Sequence, residues 1–130
     1  MGEIIEMKKE KSIRVLTCKI GEMPRIEIVE NSLTNLQEFV GGYIELAYVE
    51  GVMMIINEEG KLQNLKPNFI LSSWDVVVGN VLFTGNANEN FASISDDEIL
   101  TVIAYLGHIG RVDIKELTQN GFLKQMIETR

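Results

Sequence analysis

Five polar side chains could form a recognition site in this sequence: Asn57, Glu58, Lys61, Asn68 and Asn80. The first three share the polar turn at residues 57–61, and the other two directly follow a proline and a glycine. Asparagine offers hydrogen-bond donors and acceptors together, and lysine adds a positive charge that suits a phosphate or a carboxylate. We therefore predict that these residues bind a small polar ligand. The alternative is that the asparagines satisfy the backbone of their own turns.

No motif in the sequence predicts catalysis. The chain lacks the glycine-rich phosphate loops, and its single cysteine, Cys18, excludes an internal disulfide and a dithiol redox motif. Its single histidine, His108, excludes a metal cluster built on histidines. The pair Asp96-Asp97 lies in the first turn of a predicted helix, where the helix dipole already favours negative charge. We expect no catalytic residue, no metal and no cofactor, and an enzyme such as a phosphodiesterase is the weakest hypothesis.

Strands account for most of the apolar patterning. Two apolar runs, residues 43–49 and 52–56, flank Glu50-Gly51 and predict an antiparallel hairpin at the centre of the sheet. Residues 12–18 and the alternating residues 25–30 predict two further strands. Residues 75–83 predict one strand interrupted by Gly79, whereas residues 62–69 and 85–90 are predicted to be loops.

Capping signals place the helices. Asn31 and Ser32 are both candidate N-caps of a short helix with Leu33, Leu36 and Val40 facing inward, and the capping box at residues 95–98 opens a second helix. Residues 111–130 predict one or two short helices. The expected fold is α+β, with a mixed, mainly antiparallel sheet of about five to six strands, two main helices and a short helical C-terminal tail. We divide the chain into a leader (residues 1–11), a single domain (12–107) and a helical extension (108–130).

The net charge of −7 argues against direct nucleic-acid binding, because phosphate neutralisation needs a basic face. Lys8, Lys9, Lys11 and Arg14 cluster near the start, and we interpret them as a solvated leader, with a phosphate-contacting arm as the alternative. No apolar run approaches the ~20 residues of a membrane span. The polar N-terminus lacks the apolar core of a signal peptide, so we expect a protein of the host cytoplasm. Because residues 43–49 are apolar on both sides, we also expect a homo-oligomer.

Several segments together resemble an uncharacterised domain family that is widespread in bacteriophages and mobile elements of Gram-positive bacteria. The most specific are GGYIE at residues 41–45 and NEEGKL at residues 57–62, followed by Pro67-Asn68. The similarity spans residues 12–106. It implies a phage or mobile-element setting and carries no assigned activity.

Two functions follow as hypotheses. The first is a non-enzymatic accessory protein that counteracts host defence by sequestering a small nucleotide-like signal molecule at the five polar residues. The second is an acidic protein–protein inhibitor that docks on a host defence or transcription enzyme, and this inhibitor would tolerate loss of the Lys61 charge.

Overall fold

Local backbone preferences divide the chain into short strands and helices. The computed structural model describes residues 10–71, 73–87 and 90–130, so most of the predicted leader lies outside the described residues. The strands are β1 Ser12–Cys18, β2 Arg25–Glu30, β3 Ile44–Val49, β4 Val52–Asn57, β5 Pro67–Ile70, β6 Val76–Val78, β7 Val81–Ala87 and β8 Asn90–Ala92. The helices are α1 Leu33–Val40, α2 Asp96–His108, α3 Ile114–Gln119 and α4 Phe122–Glu128. The predicted α+β class is confirmed.

Six strands form one sheet, in which five follow the order β2-β1-β7-β4-β3 and β8 pairs with the end of β7. All pairings among the described strands are antiparallel, and β5 and β6 form a separate hairpin. The prediction that the β3–β4 hairpin occupies the centre of the sheet is wrong, because β7 lies in the middle and β3 at an edge. The prediction took the apolar side chains Leu46 and Tyr48 as a sign of a buried central strand, but both are exposed on the edge strand.

The strand boundaries between residues 62 and 92 differ from those predicted, and two glycines explain part of the difference. Gly79 has a positive φ of 79° and turns the chain between β6 and β7, so the single strand predicted across it is wrong. The loop predicted at residues 62–69 gives way to β5 at Pro67. The loop predicted at residues 85–90 is also wrong over its described part, because β7 continues through it and β8 begins at Asn90. A Cβ at Gly85 would lie only 2.4 Å from the Ser93 carbonyl oxygen, so glycine permits this close approach.

The helix caps follow the sequence closely. The Ser32 side chain accepts a hydrogen bond from the backbone N–H of Asn35 at the start of α1. Ser95 and Glu98 form the predicted reciprocal capping box at the start of α2. The predicted helical tail is confirmed as α3 and α4. Of the α1 residues predicted to face inward, Leu33 is instead exposed at the first helical position.

Two apolar clusters cover the two faces of the sheet. The smaller cluster joins α1 to the sheet through Leu36, Val40 and strand residues such as Ile55 and Leu82. The larger cluster joins the opposite face of the sheet to α2, the β5–β6 hairpin and the C-terminal helices. Its members from the tail are Leu117, Phe122 and Met126. The helical extension therefore packs on the body of the protein, whereas the boundary at residue 107 stays a prediction.

Arg14 ties the tail to the sheet and does not belong to a solvated leader. It is 6% exposed. Its Nε and Nη2 donate to the Ile94 carbonyl at 3.0 and 2.8 Å, and its Nη1 donates to the Met126 carbonyl at 3.1 Å. Nη2 also donates to Asp96 Oδ1 at 2.9 Å. The interpretation of Arg14 as part of a basic leader is thus wrong, because the guanidinium links α2 and α4 to β1.

Candidate functional site: an acidic cleft beside the turn after β4

A cleft of about 200 Å³ separates the sheet from the β5–β6 hairpin. Ala47, Met54 and Ile56 line it from the sheet, and Val76–Val78 line it from the hairpin. Residues 57–62, together with Glu45, Leu71 and Asp75, complete the lining. We call this hollow the acidic cleft, for the charges at its rim.

A tight hydrogen-bonded turn shapes the end of the acidic cleft. The Asn57 Oδ1 atom accepts from the Glu59 backbone N–H at 2.8 Å, and the Glu58 N–H donates to the Tyr43 carbonyl at 2.8 Å. Gly60 is buried against the hairpin, and a Cβ there would lie 2.8 Å from Val78 Cγ2. The glycine therefore allows the turn and the β5–β6 hairpin to approach each other.

The rim of the acidic cleft carries a surplus of negative charge. Its described lining includes the exposed carboxylates Glu45, Glu58, Glu59 and Asp75 and the ammonium of Lys61. Lys61 donates to Asp75, and this hydrogen bond and the positive charge of Lys61 lower the pKa of Asp75. The lysine charge is thus largely balanced within the cleft, and three carboxylates remain beyond that pair. A rim of this kind attracts cations and repels anions.

Asn57 belongs to the turn but its amide lies on the opposite face of the sheet from the acidic cleft. Its Nδ2 donates to the Val40 carbonyl of α1 at 3.1 Å and to Gln63 Oε1 at 3.0 Å. Alternate strand residues face opposite sides, and Ile56 on the neighbouring position lines the cleft. The buried Asn57 side chain therefore holds the turn against α1.

The structure places Asn68 and Asn80 outside the acidic cleft. Asn68 Nδ2 donates to the carbonyls of Cys18 and Gly79 at 2.9 and 2.8 Å, and its Oδ1 accepts from Arg111 Nε at 2.9 Å. Asn80 Oδ1 accepts from the Ile20 N–H at 2.9 Å. Of the five residues predicted to bind a ligand, Asn57, Glu58 and Lys61 line the cleft, although the Asn57 amide faces α1. The three asparagines bond chiefly to backbone. A ligand-binding role for the five stays a prediction.

Arg111 is a polar residue that no local pattern in the sequence singles out. Its Nη2 donates to the carbonyls of Lys19 and Glu22, both at 2.9 Å, so it fastens the β1–β2 turn to the segment after α2. Beside it, the Cys18 thiol is fully buried, and this burial raises its pKa despite the opposing charge of Arg111. In this environment Cys18 serves as a small packing residue of the core.

The acidic cleft also contains three carboxylates that were not among the predicted site residues, namely Glu45, Glu59 and Asp75. Glu45 could have been found, because the two-residue turn at Glu50-Gly51 fixes the β3–β4 register and sets Glu45 opposite Ile56. Asp75 lies fourteen positions from its partner Lys61, and no local pattern predicts that contact.

Neither a metal-binding cluster nor a membrane-spanning helix is found among the described residues. Over residues 10–71, 73–87 and 90–130, no three His, Cys, Asp or Glu residues are grouped so that they could hold a metal ion. Within the same ranges, no helix combines the length and the apolar character needed to cross a membrane.

Comparisons with known proteins identify a family without an assigned activity. A family model described as "Domain of unknown function (DUF3846)" matches residues 13–107, which is more than half of the chain. No curated protein and no solved structure is significantly similar to the chain. The matched region contains the sheet except for Ser12, together with α1, nearly all of α2 and the acidic cleft. The chain belongs to the DUF3846 family.

Proposed function

We propose that this protein is a non-enzymatic binding protein whose acidic cleft docks on a positively charged surface of a partner protein. In the phage or mobile-element setting that the resemblance implies, the partner would be a host defence or transcription enzyme, and binding would inhibit it. The observation that carries the proposal is the rim charge, where Glu45, Glu58 and Glu59 remain after Lys61 is paired with Asp75.

The shape of the acidic cleft supports a side-chain anchor. Its volume of about 200 Å³ is below the roughly 300–1,000 Å³ of typical small-molecule pockets. An apolar lining below a carboxylate rim suits a lysine or arginine side chain of a partner. Such a side chain buries its methylene stem and keeps its charged end at the surface. Charge complementarity of this kind raises the association rate and weakens with salt.

A charge-matched pair of variants tests this proposal. The cleft variant carries Glu45→Gln, Glu58→Gln and Glu59→Gln, and the control carries Glu38→Gln, Glu116→Gln and Glu128→Gln at exposed positions elsewhere. Both lose three negative charges. Immobilised proteins are incubated with bacterial host lysate at low and high salt, and bound proteins are quantified by mass spectrometry. We expect the wild type and the control to enrich the same protein at low salt, with the cleft variant reducing it at least tenfold. Equal recovery by both variants would contradict the proposal.

The second candidate is sequestration of a small nucleotide-like signal, and the exposed ammonium of Lys61 beside an apolar lining favours it. A phosphate entering the cleft would compete with Asp75 for Lys61. Calorimetric titration with cyclic and ADP-ribose-type nucleotides should then show weakening by at least tenfold for Lys61→Ala. Asp75→Asn should bind more tightly, because it releases the lysine and removes a carboxylate. Flat titrations for both the wild type and Asp75→Asn would eliminate this candidate.

The two candidates respond oppositely to Lys61→Ala. Docking of a basic protein surface should survive the substitution or strengthen, since a positive charge leaves the rim. Binding of an anionic nucleotide should weaken, so one variant measured in both assays separates the candidates.

A further inference from the structure

The outer edge of β3 presents backbone groups in a defined pattern. The Glu58 N–H donates to the Tyr43 carbonyl at 2.8 Å, which extends the β3–β4 register by one residue beyond the Ile44–Asn57 pair. A strand residue directs its N–H and C=O to one side, and successive residues alternate. Residues 43, 45, 47 and 49 therefore bond toward β4. The N–H and C=O groups of residues 44, 46 and 48 point outward, where no strand of the described chain pairs with them.

Apart from the charge of Glu45, this edge lacks the features by which proteins usually block edge-to-edge pairing. β3 contains no proline and no lysine, and its register with β4 runs without a bulge. Leu46 and Tyr48 are 45% and 55% exposed. They share one face with Ile44, because alternate strand residues face the same side. The edge is therefore both open for hydrogen bonding and apolar on one face.

We propose that β3 is a homodimer interface, in which a second copy of this chain pairs with it antiparallel and Leu46 lies opposite Leu46 of the second copy. In this register Ile44 lies opposite Tyr48 of the second copy, and the reciprocal pair follows by two-fold symmetry. All three outward-facing residues then meet outward-facing residues, so each N–H and C=O finds a partner. The two sheets join into one continuous sheet.

The charges and side chains of β3 select a second copy and this register. Glu45 lies opposite Ala47 of the second copy, and the apolar residues meet apolar residues on the other face. Shifting the pairing so that Ile44 faces Leu46 would set Glu45 opposite Glu45, and like charges directly opposite are destabilising. Shifting it the other way would set Ile44 opposite Glu50, beyond the end of β3. The central register alone avoids both conflicts.

The dimer has a consequence for the acidic cleft. Antiparallel pairing of two edges follows a two-fold axis perpendicular to the sheet, so each face of one sheet continues into the same face of the other. Glu45 and Ala47 line the cleft and belong to β3. The two clefts would thus open on the same face and on either side of the axis. The dimer itself does not depend on the function proposed for the cleft.

Single cysteines test the register in the full chain. Leu46→Cys should form an intermolecular disulfide under mild oxidation, because residues in a hydrogen-bonded antiparallel pair have Cα atoms about 5.5 Å apart, within disulfide range. Ile44→Cys alone should not, since its counterpart is displaced by four residues, or about 14 Å. Mixing Ile44→Cys with Tyr48→Cys should restore the bond. Leu100→Cys on α2, 47% exposed in the wild type, is the matched control, and the native Cys18 is buried.

Sedimentation equilibrium provides the second measurement. The wild type should show a mass of twice the 14.7 kDa chain, and Leu46→Lys should raise the dimer dissociation constant at least tenfold, whereas Leu100→Lys should leave it unchanged. Circular dichroism checks that both variants are folded. Monomeric wild type at every concentration would overturn the proposal, and so would self-crosslinking at residue 44 or 48 in preference to residue 46.

Discussion

Replacing Arg14 by alanine should destabilise the whole protein, although the residue lies far from the acidic cleft. Arg14 is 6% exposed, and its guanidinium makes four hydrogen bonds that join β1 to α2 and α4. The substitution removes the two groups that donate to the Ile94 carbonyl, Nε and Nη2 of Arg14. The Met126 carbonyl keeps a longer contact from the Thr129 hydroxyl at 3.4 Å.

The size of the effect follows from these two carbonyls. A buried group that loses its partner costs about 1–3 kcal/mol, and the lost packing of the arginine stem adds to this. Asp96 is partly exposed and can regain water, so we assign it no cost. We therefore expect the free energy of unfolding to fall by about 3 kcal/mol and the melting temperature by about 10 °C.

Urea denaturation followed by circular dichroism measures this loss. Arg25→Ala on β2 is the control, because Arg25 is exposed, and surface substitutions usually stay within about 0.5 kcal/mol. Arg14→Lys should recover only a small part of the loss, since one ammonium cannot reproduce the planar fork that reaches separate acceptors. A loss below about 1 kcal/mol for Arg14→Ala would refute the reasoning, because it would mean that the two carbonyls are satisfied in another way.

Two further predictions concern stability. Hydrogen bonding to Arg14, together with Arg130, lowers the pKa of Asp96 from its ordinary 3.8. The ionised Asp96 therefore adds to the free energy of unfolding, in full at pH values above 3.8. This stabilisation is lost as the pH falls through the lower pKa of the folded state. Urea titrations between about pH 5 and pH 2 should show this acid loss reduced in Asp96→Asn, and an unchanged pH profile would contradict the assignment. Gly85→Ala should cost about 1–3 kcal/mol, because its Cβ would meet the Ser93 carbonyl oxygen at 2.4 Å. Asn86→Ala, exposed on the same strand, should be near neutral in the same urea assay, and equal stability of the two variants would argue against the close approach.

Local chemistry in the sequence determined the elements whose partners are near in the chain. The capping box at residues 95–98 and the Ser32 cap needed contacts over only three residues, and both helices begin where these signals place them. The β3–β4 hairpin likewise follows from Glu50-Gly51, whose positive φ angles of 50° and 81° form a two-residue turn. These features were predictable because their energies depend on neighbouring residues.

Only the tertiary structure decided the strand order and the composition of the acidic cleft. The position of β7 between β1 and β4 joins segments far apart in sequence, and apolar patterning cannot distinguish an edge strand such as β3 from a central one. The same limit applies to polar residues. Asn57, Asn68 and Asn80 looked alike in sequence, yet each found a different set of backbone partners. Hydrogen-bond partners and burial are set by long-range packing. The role of each polar side chain could therefore be assigned only from the tertiary structure.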